Sequence, residues 1–157
     1  MTIKAVSVEP HPELWYHSSF ALGPAIEIGR TSSGWRRIVP ITGGTFEGQR
    51  LAGRVLPGGA DWQRLREDGV LEARARYVLE TRDGARIDVE NAGLLHAPPD
   101  VMAQLASGDA PPPESYYFRS TPRFETAHPS YLWLSRQIAV ACGEVSTEGI
   151  HISVYGL

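Results

Sequence analysis

Between Ile41 and Gly93, glycine pairs alternate with runs that read as strands, and this alternation limits the fold more than any other feature of the chain. The stretch opens at Thr42-Gly43-Gly44 and passes through Pro57-Gly58-Gly59-Ala60-Asp61-Trp62. It closes through Glu80-Thr81-Arg82-Asp83-Gly84 and Asn91-Ala92-Gly93. Asp83-Gly84 between two strand-like runs is a strong hairpin signal. In the returning strand, Arg86 to Leu95, Ile87, Val89 and Asn91 share one face while Arg86, Asp88 and Glu90 share the other. One face of that strand is therefore wet.

The flanking sequence continues the pattern. Leu14 to Leu22 reads as a strand stopped by Gly23-Pro24, and Ile26 to Ile28 as a short one. Trp35 to Ile41 is another, with Pro40 requiring an edge or a bulge. Phe46 to Leu56 reads as one long strand bent at Gly48 and Gly53. Asp61 to Asp68 is short and polar and reads as one or two helical turns, with Asp61 at the N-cap and Gly69 as terminator. Val70 to Thr81 is extended. A second short helix runs from Pro99 to Ala106 and stops at Gly108. A stiff proline loop covers Ala110 to Pro113. Tyr116 to Glu125 is a strand interrupted at Pro122, and Trp133 to Glu144 pairs with Ile150 to Tyr155 through a turn near Glu148-Gly149. Many strands, few short helices and steady turn spacing predict an all-β chain. Its glycine-bent long strands favour a single antiparallel β-barrel over a sandwich.

Length and composition set outer bounds. One domain spanning residues 1–157 is expected, large enough for a real core. The 16 glycines and 12 prolines argue against a helical bundle. A formal charge of −3 gives no footprint for nucleic acid. No apolar run of about 18 residues is present to span a membrane. Met1-Thr2-Ile3-Lys4 does not open like a signal peptide, and a soluble cytoplasmic protein is expected. Cys142 is the only cysteine, which excludes an intramolecular disulfide and a cysteine-based zinc site. His11, His17, His96, His128 and His151 form no ligand-spaced motif, so no metal is expected. Lys4 is the only lysine, which leaves Schiff-base chemistry without a nucleophile. No nucleotide loop follows either glycine pair, and no cofactor is expected.

Four motifs carry a resemblance to a known family. They are Ile41-Thr42-Gly43-Gly44-Thr45-Phe46-Glu47-Gly48, then Gly53-Arg54-Val55-Leu56-Pro57-Gly58-Gly59-Ala60-Asp61-Trp62. Arg76-Tyr77 with Glu80-Thr81 and Asp83-Gly84 follows, and last Tyr117-Phe118-Arg119 through Arg123-Phe124-Glu125 with Trp133-Leu134. Together they resemble the DUF3237 family, also called the UPF0311 proteins, over nearly the whole chain. The resemblance implies a compact calycin-like β-barrel and assigns no activity.

Asp61, on a glycine-flanked turn beside Trp62, is a candidate general base or ligand anchor at a barrel mouth, or simply a helix cap. Arg76 and Glu80 share one strand face: a polar site if that face is the lumen, a surface ladder if it faces water. Tyr77 lies on the opposite, more core-like face. Arg119, in an aromatic strand with Tyr117 on its own face, is the better arginine for a buried or stacked guanidinium. Cys142 reads as a small core residue. Two classes of function follow. One is a cofactor-independent enzyme of isomerase, lyase or hydrolase type acting on a carbonyl- or carboxylate-bearing metabolite, with Asp61 or Glu80 as base and Arg119 as anion stabiliser. The other is a non-catalytic barrel holding an apolar or aromatic ligand among Trp62, Tyr77, Phe118 and Trp133. A self-associating structural subunit is the third reading. The enzyme reading makes Asp61, Trp62 and Arg119 converge on one cavity, with Glu80 as a fourth member.

Overall fold

The computed structural model describes residues 1–157. Ten strands run in chain order: β1 Glu13–Leu22, β2 Ile26–Thr31, β3 Gly34–Glu47, β4 Ala52–Val55, β5 Gly59–Leu65, β6 Leu71–Thr81, β7 Arg86–His96, β8 Tyr117–Glu125, β9 Ala139–Ser146 and β10 Gly149–Gly156. Every pairing is antiparallel, and β1 pairs with both β10 and β3. The sheet therefore closes on itself. β3 pairs with β2 and then β1 along one edge, and with β5 and β4 along the other. β1 with β2, and β4 with β5, thus act as two broken staves, and the chain forms a closed eight-stave barrel.

Local chemistry explains the breaks. The first falls at Gly23-Pro24-Ala25, opposite Pro40. There the Gly23 N–H donates to the Pro40 carbonyl, and the missing proline N–H faces the gap between β1 and β2. Gly58, at φ +104°, turns the chain from β4 into β5. Gly84, at φ +87°, forms the predicted hairpin between β6 and β7. There the Thr81 hydroxyl accepts from the Ala85 N–H.

The core follows the inward alternation. Leu79, Ile87, Val89 and Val154 are fully buried, each contributing on the order of 1.5–3 kcal/mol by leaving water. One barrel end is plugged by large side chains: Trp15, Tyr16, Phe46 and Phe124 meet in tilted and edge-to-face contacts. Over them lies a 3₁₀ turn, Pro129–Arg136, whose Leu134 is buried and whose Tyr131 hydroxyl donates to Asp83 at 2.8 Å. The other end carries the only α-helix, α1 Pro99–Ala106. The β8–β9 seam has only two ladder pairs, Arg119–Cys142 and Ser120–Ala141.

Five expectations change. Thr42-Gly43-Gly44 does not separate two strands: β3 runs through it from Gly34 to Glu47, paired with β1 on one side. Asp61 to Asp68 is not helical: Gly59–Leu65 is β5, and Asp61, Gln63 and Leu65 point inward while Trp62 and Arg64 point outward. Two polar residues at inward positions hid the period of two. Phe46 to Leu56 is broken after Glu47 and resumes at Ala52. Trp133 lies in the 3₁₀ turn, which Pro129 opens, and β9 starts only at Ala139. β8 runs through Pro122 without interruption, on a stretch that has no β9 ladder beside it. The helix over Pro99–Ala106 and the turn before Gly149 stand as predicted.

Candidate functional site

The open end leads into a vestibule of about 900 Å³, walled by β2, β3, β5, β9, β10 and α1. Met102 and Leu105 of α1 line it, with Trp35, Leu71 and Phe118. Below it lies a smaller pocket of about 50 Å³, reaching Tyr77 and Asn91. Leu22, Val39, Asp61, Gln63, Ala73, Phe118 and Ile150 line both. Small residues make the room: Ala73 and Ala75 on β6 and Gly93 on β7 occupy inward positions where larger side chains would fill the barrel.

Asp61 stands at the junction. Its Oδ2 accepts from Gln63 Nε2 at 2.8 Å, while its Oδ1 is buried and has no partner. Gln63 Oε1 accepts from Arg37 Nε at 2.6 Å. Arg37 holds the Gln63 amide in one orientation, and Gln63 in turn presents its NH₂ to Asp61. Glu27, 4.0 Å from Arg37, and Trp35, whose Nε1 donates to Glu27 at 3.1 Å, continue the chain to the rim. Burial in the lumen pushes the Asp61 carboxyl above its usual range, against the opposing pull of the Gln63 amide and the Arg37 charge.

Register places Asp61, Ala75 and Asn91 in one row across β5, β6 and β7. Asn91 is buried, with an unpartnered Oδ1. Tyr77 lies deeper. Burial raises its phenol well above the usual value; the neighbouring Asn91 amide offsets part of that rise and the Asp61 charge adds to it. Gly59 lets Tyr77 in: a Cβ built there would lie 2.6 Å from the Arg76 carbonyl oxygen and 2.8 Å from the Tyr77 Cβ.

Of the residues singled out from sequence, Asp61, Tyr77 and Phe118 meet in this lumen. The others do not. Trp62 follows Asp61 in a strand and so faces outward, 44% exposed. Arg76 pairs with Asp88 and Glu90 on the outer wall. Glu80 lies between Arg54 and Arg86 on the same outer face, and its carboxyl is held below the usual range by hydrogen bonds to both. Arg119 also faces outward, 5.4 Å from the Tyr117 ring and bonded to the Phe118 carbonyl. The shared cavity of Asp61, Trp62 and Arg119 is therefore absent, because the strand pleat puts the latter two outside. Trp133 packs edge-on to Trp15 at the plugged end, beneath the Arg50 guanidinium 3.5 Å from its ring. Cys142, opposite Arg119, lies on the outer wall rather than in the core. Sequence reasoning passed over Gln63, Arg37 and Asn91. The period of two through Asp61 and Gln63, and the Asn91 already grouped with Ile87 and Val89, were the available signals. No group of three or more His, Cys, Asp or Glu is placed to hold a metal ion. No helix is long and apolar enough to cross a membrane.

The profile of the family described as "Protein of unknown function (DUF3237)" matches residues 10–157. This chain belongs to the DUF3237 family. A UPF0311 protein of Rhodopseudomonas palustris is 39% identical over 134 residues, covering 85% of this chain and 88% of that one. The crystal structure of a conserved R. palustris protein of unknown function superposes with TM-score 0.89 at 36% identity, covering 94% and 99% of the two chains. A β-barrel-like protein of Acinetobacter baumannii superposes with TM-score 0.78 at 39% identity, covering 96% and 99%. A more remote likeness joins the DUF3237 barrel to Penicillium herquei. Its hydroalkoxylation enzyme phnH is 28% identical over 86 residues, 55% of this chain and 57% of that one. A crystal structure described as an enzyme from the same fungus shares the fold, with TM-score 0.74 at 21% identity over 98% of each chain.

Proposed function

We propose that this DUF3237 barrel is a cofactor-independent acid–base catalyst acting on an apolar, carbonyl-bearing small molecule held in its lumen. Asp61 is the proton carrier. The reading rests on one observation: Asp61 keeps a buried oxygen without a partner at the junction of two mostly apolar cavities. A raised carboxyl there is a stronger base than a surface carboxylate. Gln63, itself fixed by Arg37, holds its other oxygen, so Oδ1 alone meets the ligand. Tyr77 and Asn91 supply polar contacts at the inner end, and the vestibule takes the apolar body. The hydroalkoxylation activity of the Penicillium relative favours the lyase type, in which an O–H adds across an activated double bond or is eliminated from it. A carboxylate-bearing substrate fits less well, since Arg119 and Arg76 stand outside and Arg37 is engaged with Gln63.

The test is a panel of apolar ketones and enones in D₂O. Binding is read from Trp35 fluorescence at the rim, and exchange of the hydrogens next to the carbonyl from proton NMR. Wild type should bind some members and exchange them; Asp61→Asn should bind and not exchange. Equal exchange by the two proteins would remove Asp61 from the reaction. Binding without exchange by either would make the chain the non-catalytic ligand barrel.

A further inference from the structure

Buried polar atoms rarely lack partners, and each orphan is destabilising unless a guest satisfies it. Four side-chain atoms here are buried without one: Trp15 Nε1, Tyr16 Oη, Asp61 Oδ1 and Asn91 Oδ1. The last two belong to residues lining the same small pocket. Both are acceptors. They stand on one cross-strand row on either side of Ala75, whose methyl group leaves the space between them open. The Tyr77 hydroxyl, beside the Asn91 amide, is a further polar group there, with the Gln63 amide and the Ser120 hydroxyl.

What fits is a donor, small and uncharged. At about 50 Å³ the pocket has room for a water or a small hydroxyl-bearing group. Phe20, Ile41 and Ile152 form its other walls and would strip the hydration of a cation without replacing it. A hydroxyl satisfies one of the two acceptors: its hydrogen goes to Asp61 Oδ1, and its lone pairs face Tyr77. Water also has a second hydrogen for Asn91 Oδ1.

We propose that this inner pocket is the seat of one hydroxyl oxygen, from water or an alcohol, held as the nucleophile while the vestibule holds the acceptor. The proposal rests on the acid–base reading of Asp61 and adds the identity of the second reactant. In the forward step the oxygen bonds to the β-carbon of an enone and its proton passes to Asp61 Oδ1. The π electrons move to the carbonyl oxygen as an enolate. The proton then goes from Asp61 to the α-carbon as the carbonyl reforms, so atoms and charge balance and no electron carrier is needed.

The seat is tested first without substrate, by a high-resolution crystal structure of the free protein and water ¹⁷O relaxation dispersion in solution. One long-lived water within hydrogen-bond range of Asp61 Oδ1 and Asn91 Oδ1 is expected. It should vanish in Asn91→Leu, whose fold is checked by circular dichroism. A dry wild-type pocket overturns the proposal. A soak with n-butanol separates the sources: an alcohol oxygen replacing the water marks an alcohol seat, and a retained water marks a water seat. The chemistry is tested in H₂¹⁸O, and separately with added alcohol, on the enones that wild type exchanges. New oxygen at the β-carbon is expected, at least tenfold above Asp61→Asn. If hydrogen exchange proceeds and no oxygen is added in either arm, the nucleophile seat falls and the acid–base reading stands. If wild type exchanges nothing, the reading beneath it fails as well.

Discussion

Asp61 on β5 and Glu80 on the adjacent strand β6 are both carboxylates of the barrel wall, and their environments have opposite effects. Asp61 points inward, shares one oxygen with Gln63 and has its acidity weakened by burial. Glu80 points outward between Arg54 and Arg86, and its acidity is strengthened by them. Both looked like catalytic candidates by residue type. The pleat separates them, sending one carboxylate into a mostly apolar cavity and the other into a surface ladder that screens it.

The largest expected contrast is catalytic. Asp61→Asn should lower exchange of a responsive ketone by about 10²–10⁴-fold, the usual share of a general base, whereas Glu80→Gln should leave it within about twofold. Comparable losses in the two variants would break the distinction. Next is Gly59→Val, which forces a side chain onto the Arg76 carbonyl and Tyr77 at the seam that positions Asp61. Denaturant unfolding should show a loss of about 2–3 kcal/mol, as for other overpacked sites. Gly58→Val, strained by its positive φ but with open space around it, should lose about 1–3 kcal/mol. Ala75→Leu fills the space beside Asp61, and ligand binding read from Trp35 should weaken at least tenfold in a folded protein.

The smallest effect is a difference in sign. The Asp61 carboxyl is raised in the native state, so native Asp61 holds its proton where the unfolded chain has released it. Stability falls as pH rises from the ordinary aspartate value to the raised one. Asp61→Asn should therefore raise Tm at neutral pH, with the gain disappearing in acid. Glu80 is lowered, so its contribution is present above the ordinary glutamate value and is lost as pH falls through its native one. Glu80→Gln should lower Tm at neutral pH and have no effect in acid. Tm–pH curves of the same sign would show that the two environments had been misjudged.

The barrel was legible in the sequence because turns are local. Asp83-Gly84 and the Gly58-Gly59 pair each impose backbone geometry on their own few residues. The inward face of β7 was also readable, since Ile87, Val89 and Asn91 keep a strict period of two. Which wall Glu80, Arg76 and Arg119 belonged to was not, because alternation gives two faces and does not say which one is wet. The β5 misreading had a different cause. Asp61 and Gln63 are polar residues in core positions, so the strand that carries the site departs from the pattern used to recognise strands. The Trp133 turn escaped for a third reason: it is held by tertiary contacts to the barrel end, with Leu134 buried and Tyr131 tied to Asp83.

Closure of the barrel by β1 and β10 sets a condition on how the site comes into being. Ser18 donates to the Ile152 carbonyl across 134 residues of chain. Such pairing carries a large loop-closure entropy and belongs to slow-folding topologies. A ribosome releasing this chain has synthesised the β5 segment, Asp61 included, well before the β10 segment. Without β10 between β1 and β9 the sheet would have two bare edges, and the lumen residues would face water. Asp61 is then an ordinary carboxylate, and its altered chemistry begins when the two ends of the chain meet.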